Sequence, residues 1–284
     1  MYRQLSTRPG RFHVLFVAAL NLSLSATPEV SAKIDETPSV WAKQALHFDA
    51  EPKQIEVLNH DGHRLILCCP RQWGKSTLIA IKALHYSLRH PNSEIVVLSD
   101  SEHHAGIIVE KIVTYASALQ IPKQRARGRQ YSIELPNGAK IFAVASNTKS
   151  VVGYTANIVI VDEAALVDDE VIGYLSRSLA RTNGKMWMLS TPRGQTGLFF
   201  AIWHDETNKW HRIKATIADA KYMDAAFIQE QKSLFPATFR QDFHCEFLQA
   251  SGRLFTIEKL KRCIDPSLNS RVIDNSHLLE PDGQ

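Results

Sequence analysis

The sequence predicts an α/β fold in which a mainly parallel central sheet is flanked by helices, and three observations carry that reading. From Phe48 onward, short apolar runs alternate with amphipathic stretches, the pattern of strands and helices in turn. One apolar run leads into Gly74-Lys75-Ser76 at a helix start, and another runs straight into Asp162-Glu163. At 284 residues and 44% hydrophobic, the chain can build one large domain or two small ones, which excludes disordered, collagen-like and coiled-coil classes. With 33 Lys+Arg against 29 Asp+Glu, the net charge of +4 is too small to identify a nucleic-acid partner; only the local charge distribution bears on that.

The elements follow in order. Residues 1–45 read as a leader: Arg3, Arg8 and Arg11 precede an apolar run over residues 13–26, then Val30-Ser31-Ala32, which imitates an export signal. The run is too short to span a membrane. Residues 63–69 (HRLILCC) read as a buried strand, and residues 76–88 as a helix ended by His90 and Pro91. A second strand covers residues 94–99, followed by a helix over 102–119. Residues 130–135 and 139–145 form a hairpin around Asn137-Gly138. Residues 157–161 (NIVIV) suit a central strand covered on both faces; residues 185–189 are another strand and 210–215 a weaker one. Residues 224–249 carry a helical pattern, and 251–284 have no strong period, so 46–250 is the expected domain and 251–284 a tail. The cysteines, Cys68, Cys69, Cys245 and Cys263, contain no CxxC pair, which fits a reducing compartment and no disulfide framework.

The first chemical motif is Cys69-Pro70-Arg71-Gln72-Trp73-Gly74-Lys75-Ser76-Thr77, between the first strand and the first helix. A phosphate-binding loop must sit there, because backbone N–H groups and the positive helix end then converge on phosphate oxygens. Lys75 would reach the β and γ phosphates of ATP, Ser76 would hold Mg²⁺, and Gly74 would let the backbone approach closely. The strict GxxxxGK[ST] pattern fails at its first glycine, where Cys69 stands. The second motif ends a strand in Asp162 and Glu163: Asp162 would complete the Mg²⁺ shell and Glu163 would polarise the attacking water. The third, Leu189-Ser190-Thr191-Pro192, places hydroxyl residues at the same sheet edge, where they can sense the γ phosphate.

Together these pieces resemble the ATPase domain of the large terminase subunit, the DNA-packaging motor of tailed bacteriophages. The most specific part is Arg71-Gln72-Trp73-Gly74-Lys75-Ser76, because that family uses an Arg-Gln-x-Gly-Lys-Ser/Thr loop. Residues 160–165 are similar to its Walker B strand with a catalytic glutamate, and Ser190, Thr191 and Pro192 to its coupling motif. Residues 150–155 and 239–247 add support. The resemblance implies a P-loop NTPase of the additional-strand, catalytic-glutamate (ASCE) type with a RecA-like core. It further implies that Gln54 reads adenine and that Arg71 is an arginine finger, with Arg177, Arg181 and Arg193 as rivals better read as surface residues. ATP and Mg²⁺ are the implied cofactors. Double-stranded DNA, a portal protein and a small terminase subunit are the implied partners, with a ring-forming homo-oligomer in the host cytoplasm. A site that consumes cytosolic ATP argues that the export-like leader is a false signal.

Residues 121–149 hold Lys123, Arg125, Arg127, Arg129, Lys140 and Lys149 against the single acid Glu134. Such a flexible basic loop could follow a duplex backbone by neutralising phosphates, although a plain solvated loop reads equally well. His103-His104 and His244-Cys245 lack metal-ligand spacing and read as surface or packing residues, while Trp187, Trp203 and Trp210 suit a core. Complete large terminases continue into a metal-dependent nuclease. Asp265, Asp274, Glu280 and Asp282 lie in the patternless tail, so no nuclease activity is expected, and a truncated remnant or half of a split motor both fit. A helicase-like ATPase is the enzyme rival.

Overall fold

The computed structural model describes residues 34–249, apart from residues 126, 127, 152 and 222. The export-like segment and the tail therefore lie outside the described residues. Among the described residues no helix is long and apolar enough to cross a membrane.

Eight α-helices are described: α1 (Pro38–Leu46), α2 (Pro52–Asn59), α3 (Lys75–Arg89), α4 (Glu102–Ala118), α5 (Asp169–Ser176), α6 (Gly197–His204), α7 (Ala225–Leu234) and α8 (Pro236–His244). They surround a seven-stranded sheet of β1 (Arg64–Cys68), β2 (Glu94–Leu98), β3 (Ser132–Glu134), β4 (Lys140–Ala143), β5 (Ile158–Asp162), β6 (Lys185–Ser190) and β7 (His211–Lys214). The spatial order is β3-β4-β2-β5-β6-β1-β7, and every pairing is parallel except that of β3 with β4. This is the mainly parallel α/β sheet that the apolar runs predicted. β6 lies between β1 and β5, so the strand carrying the phosphate-type loop and the strand ending in the acid pair are separated by one inserted strand.

Successive strand residues point to opposite faces, and both faces are buried. Leu65, Leu67, Ile95, Val97, Ile158, Ile160, Trp187 and Leu189 join the core under α1 to α4. Their neighbours Ile66, Cys68, Val96, Leu98, Val159, Val161, Met186 and Met188 join the core under α5 and α6. That two-sided demand explains why the central strands read as unbroken apolar runs.

Three differences from the sequence expectations have physical causes. The helix α1 begins inside the expected leader and crosses its end, and Trp41 is fully buried in the core with Ala42, so packed structure begins before residue 46. The helical pattern of 224–249 is divided at Phe235 and Pro236, because proline supplies no N–H to continue α7 and is instead favoured in the first turn of α8. Trp203 and Trp210 are half-buried flanks of the core rather than central members, unlike Trp187. The hairpin forms as expected: Gly138 adopts φ 81, and the Asn137 side chain accepts from the Ala139 amide and donates to the Ser87 carbonyl at the end of α3.

Candidate functional site

The loop after β1 begins with Cys69 and Pro70, both buried. Cys69 needs no glycine in its place because positive backbone angles occur later, at Gln72 (φ 60) and Gly74 (φ 87). Its side chain instead packs into the core, where burial pushes its thiol pKa well above the ordinary value. Trp73 is also fully buried, and its indole N–H donates to the Asp219 carbonyl at 3.3 Å, so the loop is anchored from beneath while Arg71 and Gln72 remain exposed. Gly74 caps α3 with no side-chain hydrogen bond. As the cap, Gly74 brings no side-chain acceptor of its own to the first amides of α3, and a phosphate group can take that place.

Opposite the loop stands the end of β5. Lys75 Nζ lies 2.5 Å from Glu163 Oε1 and 3.5 Å from Asp162 Oδ1, and Ser76 Oγ donates to Asp162 Oδ2 at 3.3 Å. Burial alone would lower the lysine pKa, but the two carboxylates outweigh it and hold the ammonium above its ordinary range. Asp162 moves the other way: burial pushes its pKa up, Lys75 offsets this only in part, and Glu163 adds to the rise. Asp162 Oδ1 is buried and accepts no hydrogen bond. A carboxylate left in that condition, beside a serine hydroxyl, suits a hard divalent cation. Among the described residues there is no cluster of three or more His, Cys, Asp and Glu side chains that could hold a metal. Magnesium fits such a site, since it is usually held by one or two carboxylates together with substrate phosphates and water. Arg71, Lys75, Ser76, Asp100, His104, Ile107, Asp162, Glu163, Leu166 and Arg193 line one cleft of about 450 Å³ of water-accessible space.

Residues 66–262 match the sequence profile of a family described as "Terminase large subunit, T4likevirus-type, N-terminal". The chain belongs to that terminase family. It is 30% identical over 210 residues to the terminase large subunit of Escherichia phage T5, covering 71% of this chain and 48% of the relative. It therefore spans about half the length of the curated relative it matches. Among solved structures, the ATPase domain of the Thermus phage P74-26 large terminase is similar at TM-score 0.66 and 20% identity, with 75% of this chain and 100% of that chain covered. The large terminase of another thermophilic bacteriophage aligns at TM-score 0.61 and 12% identity, over 70% of this chain and 53% of that one. The HK97 large terminase aligns at TM-score 0.59 and 19% identity, over 70% and 51%. These likenesses show the RecA-like ATPase fold.

Within this terminase chain, Ser190 and Thr191 stand between the two halves of the cleft. Cys68 pairs with Ser190 in register and Asp162 with Leu189. Ser190 Oγ accepts from the Ala165 amide at 3.2 Å, and Thr191 Oγ1 donates to the Cys69 carbonyl at 3.0 Å. The strand end thus joins the segment after Glu163 to the root of the loop, and Pro192, also buried, turns the chain away. Gln54 is 6% exposed. Its Oε1 accepts from the Glu51 amide and its Nε2 donates to the Trp73 carbonyl at 3.3 Å, so its amide braces the loop from α2. Thr77 accepts from Lys111 on α4.

The basic segment differs from the free loop expected. Gln124 forms a two-way backbone bridge with Glu134, which ties the segment to β3. Arg125 pairs with Glu110 at 3.4 Å, and the Arg129 guanidinium stacks 3.6 Å from the centre of the Phe142 ring. Lys123 is exposed; Arg127 lies outside the described residues. Sequence reasoning also missed part of the cleft. His104, read as a surface or packing residue, lines it, as does Asp100; His103 instead bonds the Tyr131 hydroxyl. The missed signal was Asp100, which follows the apolar run of β2 just as Asp162 ends that of β5. Arg193, ranked below Arg71 as a surface residue, is exposed and yet lines the same cleft.

Proposed function

We propose that this chain is the ATP-hydrolysing motor domain of a DNA-packaging terminase, and the observation that carries the reading is the meeting of Lys75, Ser76, Asp162 and Glu163 around one cleft. The α3 amides and Lys75 would bind the triphosphate, with Pro70, Arg71, Gln72, Trp73, Gly74 and Thr77 shaping the loop. Ser76 and Asp162 would hold Mg²⁺, which when bound shields phosphate charge. Glu163 orients and deprotonates the attacking water, and Arg71 brings a fixed positive charge to the developing charge on the γ phosphate. A structure of the thermophilic phage's large terminase in complex with ATP-gamma-S supports nucleotide binding by this fold.

Ser190, Thr191 and Pro192 would transmit loss of the γ phosphate, because one strand end touches both the loop and the segment after Glu163. Duplex DNA is the proposed track, with the exposed Lys123 as its basic contact. Gln54 would approach adenine from α2. A portal protein, a small terminase subunit and a homo-oligomeric ring in the bacterial cytoplasm complete the proposed setting.

The test is ATP turnover by the purified chain, alone and with linear duplex or single-stranded DNA, beside Glu163→Gln. Stimulation by duplex supports the packaging motor. Preference for single strands points to a helicase-like enzyme instead. Turnover no greater than that of Glu163→Gln would leave a nucleotide-binding remnant and defeat the motor reading.

A further inference from the structure

Arg193 is the cleft cation that the phosphate loop, the acid pair and the coupling strand leave without a task. Of the four arginines that the sequence offers as fingers, Arg71 and Arg193 line the cleft. Arg177 instead lies over the Tyr174 ring, 4.6 Å from its centre. The acids of the cleft already have basic partners: Lys75 serves Asp162 and Glu163, and Asp100 Oδ1 lies 2.7 Å from His104 Nδ1. Among the described residues, no hydrogen bond, ion pair or ring contact engages the guanidinium of Arg193. A guanidinium is a planar fork of fixed donors that matches phosphate oxygens two at a time.

The backbone that carries Arg193 is held on both sides. Before it, the Cys69 amide donates to the Ser190 carbonyl at 3.1 Å, and Thr191 Oγ1 donates to the Cys69 carbonyl at 3.0 Å, so the strand end grips the root of the phosphate loop twice. Pro192 then restricts its own backbone and that of Thr191. After Arg193, Gly194 takes φ 67, a left-handed angle that turns the chain at once. Gln195 Nε2 donates to the Phe247 carbonyl at 3.0 Å, and the Gly194 amide donates to Gln241 Oε1 on α8 at 3.5 Å. A long side chain with a free head therefore stands on a fixed base, two residues from the hydroxyl that bonds the loop. Fixing that base costs backbone freedom, and no described residue uses the head.

We propose that Arg193 binds the terminal phosphate of ATP and so makes this site prefer the triphosphate to the diphosphate. The inference rests on the ATPase reading above and deepens it. Arg71 keeps its role toward the charge that develops during hydrolysis, whereas Arg193 holds the γ phosphate already in the bound substrate. Its fork donates to oxygens that ADP lacks, since ADP ends at the β phosphate. A contact made equally in the bound substrate and in the transition state lowers KM and leaves kcat unchanged.

The experiment is calorimetric titration of the full chain with ATP-gamma-S and with ADP, in buffer containing Mg²⁺, for wild type, Arg193→Ala, Arg193→Lys and Arg181→Ala, followed by steady-state ATP turnover. Arg193 is exposed, so its removal should leave the melting temperature as in wild type. Arg193→Ala should weaken ATP-gamma-S binding about tenfold, the scale of hydrogen bonds to a charged group, with ADP affinity unchanged. Its KM for ATP should rise by the same factor while kcat holds. Arg193→Lys keeps the charge without the fork and should recover part of the loss. Arg181→Ala removes an exposed arginine that does not line the cleft, and it should change neither affinity. Equal losses for both nucleotides in Arg193→Ala, no loss for either, or a fall in kcat with ATP-gamma-S affinity intact would each overturn the assignment to Arg193 alone. Wild type that binds neither nucleotide overturns the ATPase reading and this inference with it.

Discussion

Lys75 Nζ and Glu163 Oε1 lie 2.5 Å apart although 88 positions separate them in the chain. The contact exists because α3 starts and β5 ends at the same edge of the sheet, with β6 setting the spacing between them. Lys75 is shared with Asp162, so Glu163 can lose its charge without leaving the ammonium unpaired. Glu163→Gln is therefore expected to fold and to bind nucleotide as wild type does, while turnover falls by on the order of 10²–10⁴. Parallel titration calorimetry and phosphate-release assays check both halves; a variant that still hydrolyses ATP at the wild-type rate removes Glu163 from the chemistry.

Removing Lys75 has the opposite balance. Asp162 is already pushed toward protonation by burial, and its side chain is only 7% exposed. Lys75→Ala leaves that carboxylate without its cation, a change that costs about 3–5 kcal/mol for buried pairs. The sign with pH follows: a carboxyl whose folded pKa lies above its unfolded value binds more protons when folded, so stability falls as pH rises through that window. Denaturant titrations should find Lys75→Ala weakest at neutral pH and partly recovered in acid, and Asp162→Asn added to it should recover much of the loss. Equal losses at both pH values would contradict this account.

Much of this arrangement was legible in the sequence because the strands are buried on both faces and so read as continuous apolar runs, each ending where chemistry begins. The Lys75 loop and the Asp162-Glu163 pair could be placed from residue order alone. What stayed hidden depended on spatial neighbours. Arg129 looks like a loop cation until β4 brings Phe142 beneath it. Gln54 offers no hint in sequence that its amide is engaged by Glu51 and Trp73. His104 lacks any spacing signal, since its partner Asp100 lies one turn back at a helix start and the cleft is assembled by β5 and α3. Trp41 was missed because the apolar leader beside it masked the start of the packed chain.

Arg129 and Lys123 should separate packing from DNA contact. Stacking on Phe142 at 3.6 Å and lying 5.1 Å from the Tyr154 ring, Arg129 contributes to the hairpin edge. Arg129→Ala is expected to lower stability by about 0.5–2 kcal/mol. Lys123→Ala should leave stability unchanged and reduce the salt dependence of duplex-stimulated turnover by about one phosphate contact. Thermal melts and turnover at several salt concentrations tell them apart.

Thr191 gives a sharper test of the coupling strand. Its hydroxyl donates to the Cys69 carbonyl, and Thr191→Val removes that bond with almost no change of shape. The loss to stability should be about 1 kcal/mol. If the strand end transmits the state of the loop, duplex stimulation of turnover should fall while basal hydrolysis persists. Loss of both in equal proportion would place Thr191 in the hydrolytic step itself.

The middle of the P-loop helix makes its own prediction. Lys82 on α3 is 5% exposed, and its Nζ donates to the carbonyls of Leu58 at 2.6 Å and His60 at 2.5 Å, beyond the middle of α2. With Gln54 bonded to Trp73 nearer the start of α2, that helix is fastened to the loop and to α3 at two points. Burial and the charge of Lys185 lower the Lys82 pKa to about 7, with Asp61 opposing weakly. The unfolded chain, at the ordinary value of 10.5, then binds more protons than the folded one between about pH 7 and 10.5, so stability should rise with pH across that window. A single group contributes at most about 1.4 kcal/mol per pH unit. Lys82→Met should flatten the slope there while leaving the separate gain between about pH 4 and 6.5, where burial lowers His60 and His85 to about 4. Urea titrations at closely spaced pH values read both windows, and an upper slope that persists in Lys82→Met would assign it to another group.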